Sequence, residues 1–319
     1  MIPVRNLIRS ATKPVSGDDK LNILTSCRNN ERYISLLAQT GHNFYIPIEH
    51  PWNNMIAPKP DNVYILGMHS PPLDFLICYD RAEQYIEAQQ IARQLHLPVI
   101  LADLCSASLV RPHHILETLT PRNPEELLRT PTTTVYSSEI IAESWGGNSP
   151  HIIPLTFDAR QLNASHTKPE EIIITIDNNV SPEVGTALSA VLNNQYQILP
   201  TDTDNHEDRA ILKSTYFINT KKNITIKLIE AMFCKNIVIC LRTPDAESLI
   251  EHKKTGILID DLPEIPETIN MLNNDTGLRD SIAENAHEQA ISMQDIDGFT
   301  SQWNNIFQLV RSNFYSPSI

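Results

Sequence analysis

Glycine is scarce in this chain. Nine occur in 319 residues, Gly146-Gly147 is the one adjacent pair, and G-x-G appears nowhere. The dinucleotide fingerprint and the Walker loop both need glycines so that backbone can approach phosphate, which disfavours NAD-dependent dehydrogenases and P-loop NTPases. Cysteine is sparser still: Cys27, Cys78, Cys105, Cys234 and Cys240, an odd and widely spaced set without C-x-x-C. That pattern fits buried reduced thiols of a cytoplasmic protein, not a disulfide framework or a structural zinc site. No apolar run approaches the roughly 18 residues of a membrane span. Residues 1–20 carry basic side chains but no continuous apolar region, so they are expected to form a loosely ordered arm and not a signal peptide.

Positive charge is also in short supply. The net charge is −13, and residues 1–160 hold 13 Lys and Arg against 16 Asp and Glu, leaving 12 against 22 for the remainder. Such a chain does not cling to polyphosphate through bulk electrostatics, so any nucleic-acid contact needs a local patch in the near-neutral first half.

At 319 residues the chain suits two domains of roughly 150 residues each, with 41% hydrophobic residues to fill two cores. Short apolar runs alternate with segments of helical period, the pattern of doubly wound α/β architecture. In the first half, strands are expected at 22–25, 43–48, 63–68, 75–79, 99–102 and 133–136. Helices are expected at 31–40, at 81–95 with Tyr85, Ala88, Ile91, Ala92 and Leu95 on one face, and from a Ser138 cap to 144. Ile152 to Pro154 continues that sheet. A polar linker begins at Arg160. The second half offers strands at 172–176, 195–199 and 216–218, with helices at 181–192 and 207–213. Two helices close the chain, one over 277–293 and one carrying Phe299, Trp303, Ile306 and Val310 as a single apolar stripe.

The segment from Ile226 to Asp260, IKLIEAMFCKNIVICLRTPDAESLIEHKKTGILID, says most about function. It predicts a helix bearing Glu230-Ala231-Met232, a buried strand at 237–240, a short helix at 246–252, a Lys-Lys-Thr-Gly turn and a strand at 257–259. In that order and composition it resembles the donor-binding half of GT-B glycosyltransferases of the retaining family-4 type. The family runs E-A-M-A-x-G-x-P-V-V, a short helix, then H-x-x-T-G-x-L-V. This chain keeps Glu230, Ala231, Met232, His252, Thr255 and Gly256, and departs at Lys235 (usually Gly) and Ile237 (usually Pro). Pro154 to Asp158 resembles the family's I-P-x-G-V-D exit from the first domain. The resemblance implies two Rossmann-like domains, 21–160 for the acceptor and 170–293 for a nucleotide sugar. It also implies a tail, 294–319, whose helix crosses back onto the first domain.

What it implies for function is a glycosyltransferase moving a sugar from a UDP- or GDP-linked donor to a hydroxyl, retaining and metal-independent, with no further cofactor. Gly41-His42-Asn43-Phe44-Tyr45 and the Asn219-Thr220 loop resemble virus-encoded members. That subgroup implies work in the cytoplasm of an infected bacterium, with hydroxymethylated pyrimidines in DNA as an acceptor. Alternatives are a degenerate GT-B scaffold kept as an interaction protein, or a nucleotide-sugar epimerase. No membrane partner is expected, and the oligomeric state is open.

Residues carry these roles as follows. At Glu230 the family uses a carboxylate whose two oxygens accept from vicinal ribose hydroxyls; the competing reading is a surface Glu favoured by the helix dipole. The preceding loop, Thr220, Lys221, Lys222, Asn223, Ile224 and Thr225, offers backbone N–H groups and positive charge to a diphosphate, or is a solvated turn. Lys222 stands where the family's E-x7-E motif has its first Glu, the sugar contact, and is the first catalytic candidate. Asn178 and Asn179 replace the family's Gly-Arg pair as donor contacts that bring no charge. In the first half, Ser26 and Arg28 follow the opening strand and face acceptor or phosphate, or form an ordinary helix start. Asp103, at a strand end, either stands where relatives use a catalytic His or caps structure. His42 is taken as structural. His113-His114 point apart and make a poor metal pair. Asp202-x-Asp204 is taken as a solvated acidic turn, so no metal ligands are assigned.

Overall fold

The structure, a computed structural model, describes residues 20–26, 30–54, 56–79, 84–104, 132–145, 151–162, 171–176, 196–200, 210–220 and 223–315. The chain divides into two compact units. One comprises residues 1–154 and 297–319, the other residues 155–296.

The first unit is built on a six-stranded parallel sheet: β1 (Asn22–Thr25), β2 (Asn43–Ile46), β3 (Val63–Ile65), β4 (Phe75–Cys78), β5 (Val99–Asp103) and β6 (Thr132–Tyr136). Its spatial order is β3-β2-β1-β4-β5-β6. Every residue of β4 and β5 is buried, as expected of central parallel strands covered on both faces. Helix α1 (Glu31–Ala38) and helix α2 (Gln84–Leu95) connect these strands. Ala88, Ala92 and Leu95 of α2 pack on Leu24, Leu76, Cys78 and Val99. Gly41, at φ +82°, makes the turn after α1, a conformation open to glycine without steric cost. Helix α3 (Glu139–Ser144) is capped by Ser138, whose side chain accepts from Ile141 N. Ile152 meets Tyr136 as a single parallel bridge and not as a strand.

The second unit carries a five-stranded parallel sheet: β7 (Ile173–Ile176), β8 (Gln197–Pro200), β9 (Tyr216–Asn219), β10 (Ile237–Leu241) and β11 (Ile257–Ile259), in the order β11-β10-β9-β7-β8. Its helices are α4 (Ala210–Lys213), α5 (Ile226–Phe233), α6 (Pro244–Leu249), α7 (Ile265–Asn274) and α8 (Thr276–Ser292). Alternate residues of the strands share a face. Tyr216, Ile218, Ile237 and Ile239 therefore meet Ile265, Ile269 and Leu272 of α7 in one core.

Two differences from the sequence reading have clear causes. α6 starts at Pro244 and not at Ala246, because Thr243 caps it through Ala246 N and proline occupies the first turn; it ends at Leu249. Helix α7 was not anticipated at all. Its signals are Asp261 and Glu264, which form a capping box around a 3-10 turn, and Ile265, Ile269 and Leu272 on one helical face. Two prolines in that stretch hid the helix. The expected helix over 181–192 lies outside the described residues.

The last helix, α9 (Ile296–Tyr315), belongs to the first unit from Asp297 onward. This is the crossover the resemblance implies. Phe299, Trp303, Ile306 and Val310 are all buried, and so is Phe307, which the stripe omitted. Tyr33 of α1 meets Phe299 and Trp303 edge-on at 5.7 and 6.3 Å, and Phe307 lies 5.3 Å from Phe75. Burying five large apolar side chains holds the helix in place, each contributing about 1.5–3 kcal/mol. His42 sits at the edge of this contact, 5.6 Å from the Phe307 ring, and its Nδ1 accepts from Leu21 N at 3.2 Å. Among the described residues no helix is long and apolar enough to cross a membrane.

Burial lowers the His42 pKa, partly offset by Asn304 and Asp74, with Arg311 and Lys20 lowering it further. The native protein thus takes up this proton at lower pH than the unfolded chain does. The stabilisation is whole above the ordinary His value of about 6.5 and is lost as pH falls through the lower native one. Urea unfolding at pH 7.5 and pH 5 should show lower stability at pH 5, and His42→Gln should narrow that difference. A second expectation concerns Lys235, which has φ +58° just past the end of α5. This left-handed backbone costs a side-chain-bearing residue about 1–2 kcal/mol. Lys235→Gly should raise the urea midpoint by the equivalent of about 1 kcal/mol or less, because the exposed Lys235–Glu284 ion pair it removes contributes little.

Candidate functional site

Each sheet reverses its winding at one place. In the first, β1 lies between β2 and β4; in the second, β7 lies between β8 and β9. At such switch points the loops leave neighbouring strands toward opposite faces and open a crevice at the carboxyl ends, where α/β proteins bind ligands. Both candidate regions fall there.

In the second unit the crevice is bounded by the loop that follows β9. Asn219 ends that strand, buried, opposite Cys240. Its Nδ2 donates to Asn223 O at 3.2 Å, closing the loop on itself. Burial pushes the Cys240 thiol up to about 12, while its contact with the Asn219 side chain acts the other way. Cys240 is thus a neutral packing group beside the loop. Thr220 Oγ1 is buried and has no hydrogen-bond partner.

Thr225 then starts α5. Its backbone is extended (φ −123°, ψ 156°), and its Oγ1 accepts from Leu228 N at 3.3 Å. This is ordinary N-capping, and it leaves the hydroxyl proton free to be donated. Thr225 is therefore a structural cap whatever else it touches. One turn further on, Glu230 is 3% exposed. The surface-Glu reading is overturned: this carboxylate lies inside. Ala231 and Met232 beside it are fully buried packing residues.

The rest of the family-like segment is architecture. Gly256 has no room for a Cβ, which would stand 2.7 Å from Val238 Cγ2, 2.8 Å from Ile250 Cγ2 and 3.0 Å from Val238 O. Thr255 Oγ1 accepts from Glu251 N at 3.0 Å, and His252 Nδ1 accepts from Leu258 N at 3.1 Å. Burial, with Lys253 and Arg242 nearby, lowers the His252 pKa, which suits an acceptor nitrogen. These three residues close the turn into β11. Ile237 N donates to Thr215 O at 2.9 Å, a bond that the family's usual proline lacks.

In the first unit the switch-point crevice is a small, half-open hollow that encloses ≈ 30 Å³. Leu24, Thr25 and Ser26 line it from β1, and Leu76, Ile77 and Cys78 from β4. Gln84, Ala88 and Ile91 of α2 face them, with Pro47 and His50 at one side. Thr25 Oγ1 and Tyr79 Oη share a hydrogen bond of 2.6 Å, and Gln84 Oε1 accepts from Tyr79 N. Ser26 Oγ is buried without a partner. The sequence reading singled out Ser26 but missed the pocket, whose walls come from segments far apart in the chain. Asp103 is buried at the end of β5, with its backbone O accepting from Ser137 N. It is not among the residues lining the pocket.

Asn219, Thr220, Asn223, Ile224 and Thr225 thus lie at the start of α5 and Glu230 on its second turn, while Ser26 and Asp103 belong to the other unit. The sequence reading took Asn219 as the first residue of that loop; the structure makes it the last residue of β9. Arg28, Lys221, Lys222, Asn178 and Asn179 lie outside the described residues, as do His113, His114, Asp202 and Asp204. Among the described residues no group of three His, Cys, Asp or Glu is arranged to hold a metal ion.

Residues 205–301 match the family model described as "Glycosyl transferase-like", a segment short of half the chain. No curated protein matches the chain by sequence. Among solved structures, Anabaena HepE in complex with UDP and glucose has a TM-score of 0.66 at 12% identity, over 91% of this chain and 100% of that one. A glycosyltransferase from Rickettsia africae gives 0.62 at 12% identity, over 92% and 100%. Sucrose-phosphate synthase from Thermosynechococcus elongatus gives 0.60 at 12%, again over 92% and 100%. At such identities the likeness establishes the fold alone: mixed α/β with two parallel sheets, matching structures of GT-B glycosyltransferases.

Gly256→Ala should lower stability by about 1–3 kcal/mol, the usual cost of overpacking, because one of the clashing atoms is backbone. Urea denaturation measures it; an unchanged midpoint would mean that the β11 turn is loosely packed.

Proposed function

We propose that this protein is a glycosyltransferase that takes a sugar from a nucleoside diphosphate donor held at the start of α5. The observation that carries this is the buried Glu230 carboxylate one turn behind a tied loop, at the switch point of the second sheet. Two carboxylate oxygens match two vicinal ribose hydroxyls, and charge-assisted hydrogen bonds are the strong kind. The N-terminus of α5 supplies N–H groups and a positive dipole end for the diphosphate. The segment matching the glycosyl transferase-like family contains this whole region, and a protein of the same fold is known with UDP and glucose bound.

In the transfer, an acceptor hydroxyl oxygen bonds to the anomeric carbon. The bond from that carbon to the diphosphate oxygen breaks, its electron pair stays on the phosphate, and the hydroxyl proton leaves to base or solvent. Catalysis rests on positioning and on stabilising the departing diphosphate, where Lys221 and Lys222 supply charge in place of the family's Arg and Lys. Retention, metal independence and the lack of any cofactor beyond the donor are part of this proposal. Asp103 remains a catalytic candidate of the first unit, and Arg28 a phosphate contact. A hydroxymethylated pyrimidine in DNA is one acceptor to test. The replacement of the first motif Glu by Lys222 favours a second reading, a scaffold that binds nucleotide and transfers nothing.

UDP, GDP and their sugars should raise the melting temperature, and Glu230→Ala should abolish that shift. Lys222→Ala should cut turnover at least tenfold while the nucleotide still binds. Silence across the whole nucleotide panel would overturn donor binding. Binding without product in any acceptor mixture would favour the scaffold.

A further inference from the structure

β3 is an outer strand of the first sheet, and its free edge is only half closed. Phe44 N donates to Asn62 O at 2.9 Å and Leu66 N to Ile46 O at 2.8 Å, with Tyr64 between them in register with Tyr45. Asn62, Tyr64 and Leu66 therefore aim their backbone groups at β2, and the residues between them, Val63 and Ile65, turn theirs outward. Those of Val63 are taken: its N–H donates to Pro60 O at 3.1 Å, and its C=O accepts from Lys59 Nζ at 2.8 Å. Lysine and proline are common means of blunting an edge strand. Ile65 has no such cover, and neither its N–H nor its C=O is bonded to β2 or to a turn among the described residues.

The same edge is apolar. Among the described residues, four of the five exposed large hydrophobic side chains gather here. Tyr64 and Ile65 lie on β3 itself, 43% and 54% exposed, while Ile48 and Met68, each 68% exposed, stand where the chain leaves β2 and β3. Tyr64 rests against Tyr45, ring centroids 5.5 Å apart, on the face of the sheet that carries α2. Ile65 points to the opposite face.

We infer that this edge is a dimer interface, in which a second copy of the chain pairs antiparallel with β3 about a two-fold axis at Ile65. Antiparallel strands alternate between residue pairs that exchange two hydrogen bonds and pairs that exchange none. One free donor and one free acceptor on a single residue are what such a two-fold pair consumes, and Lys59 can stay on Val63. Tyr64 then faces the partner subunit's Leu66 on one side of the sheet, and the two Ile65 side chains meet on the other. A longer foreign strand would also need the Val63 groups, which are closed to it. A stable dimer takes about 800 Å² from each partner, a little over half of it apolar. The four exposed side chains offer on the order of 400 Å² of apolar surface, which meets that share. Charge agrees as well: residues 1–160 hold 13 Lys and Arg against 16 Asp and Glu, so two copies joined through the first unit keep most of their negative charge apart.

The inference stands apart from donor binding, and its test reads association alone. Sedimentation velocity of the full chain over a micromolar concentration series should show monomer passing to a dimer of twice 36.0 kDa. Ile65→Pro removes the outward N–H and leaves the bonds to β2 in place; it should weaken association about tenfold or more. Ile65→Lys sets like charges opposite each other on the axis and should do the same. Should either variant fail to fold, Ile65→Cys decides. The two Cα atoms of such a pair stand about 5.5 Å apart, within disulfide reach, so mild oxidation should link two copies there. Ile291→Cys, on α8 and exposed, should link no more than the parent. The inference is overturned if the chain stays monomeric throughout the series, if folded Ile65→Pro and Ile65→Lys dimerise as the parent does, or if Ile65→Cys links no better than Ile291→Cys. A monomer that sediments with phosphatidylcholine vesicles, and ceases to as Ile65→Lys, would give the patch to a lipid surface and overturn the dimer.

Discussion

Everything functional here depends on where two parallel sheets change their winding direction. A parallel strand is reached by a crossover on one face or the other, so a sheet that grows outward in both directions from its interior must switch faces once. These switches lie between β1 and β4 and between β7 and β9; at such places connecting loops diverge and leave a crevice at the carboxyl edge. One holds the apolar pocket with Ser26; the other holds the loop from Asn219 to Thr225 and the helix that buries Glu230.

At the second opening, hydrogen bonds hold the ends of α5. Asn219 ties the loop to Asn223, Thr225 caps α5, and Asn236 at the far end of that helix donates to Ile211 O at 2.7 Å. These bonds hold both ends of α5, and Ala231 and Met232 seat its middle in the core. Glu230 lies buried on this helix, 3% exposed.

The same segment also separates residues that shape the backbone from residues that can meet a ligand. His252, Thr255 and Gly256 match the family pattern for reasons of turn geometry and close packing. Lys235 departs from it at a left-handed position where glycine is easier, and Ile237 departs where a strand N–H finds a carbonyl. A motif match is thus weaker support for activity than it looks, since half of it is needed merely to join β10 to β11.

Much of the architecture was legible in the residues. β1 and β11 fall where their apolar runs put them, and the stripe ending at Val310 does dock on the first unit, because burial periodicity is a local property of the chain. Helix α7 was missed since two prolines resemble loop chemistry until the capping box between Asp261 and Glu264 is seen. Around the site, local sequence indicated the loop before α5 and the Glu on it, but could not decide between a surface and an interior carboxylate. That choice belongs to the packing of α5 against β10 and α8. The pocket at Ser26 was invisible for the same reason: Pro47, Ile77 and Ala88 become neighbours only when β1, β2, β4 and α2 assemble. Sequence alone determined the order of strands and helices and which face of each is apolar, since those follow from spacing along one segment. Tertiary structure alone decided which polar groups end up inside and what walls surround them, because burial depends on contacts between segments that no single stretch of sequence contains.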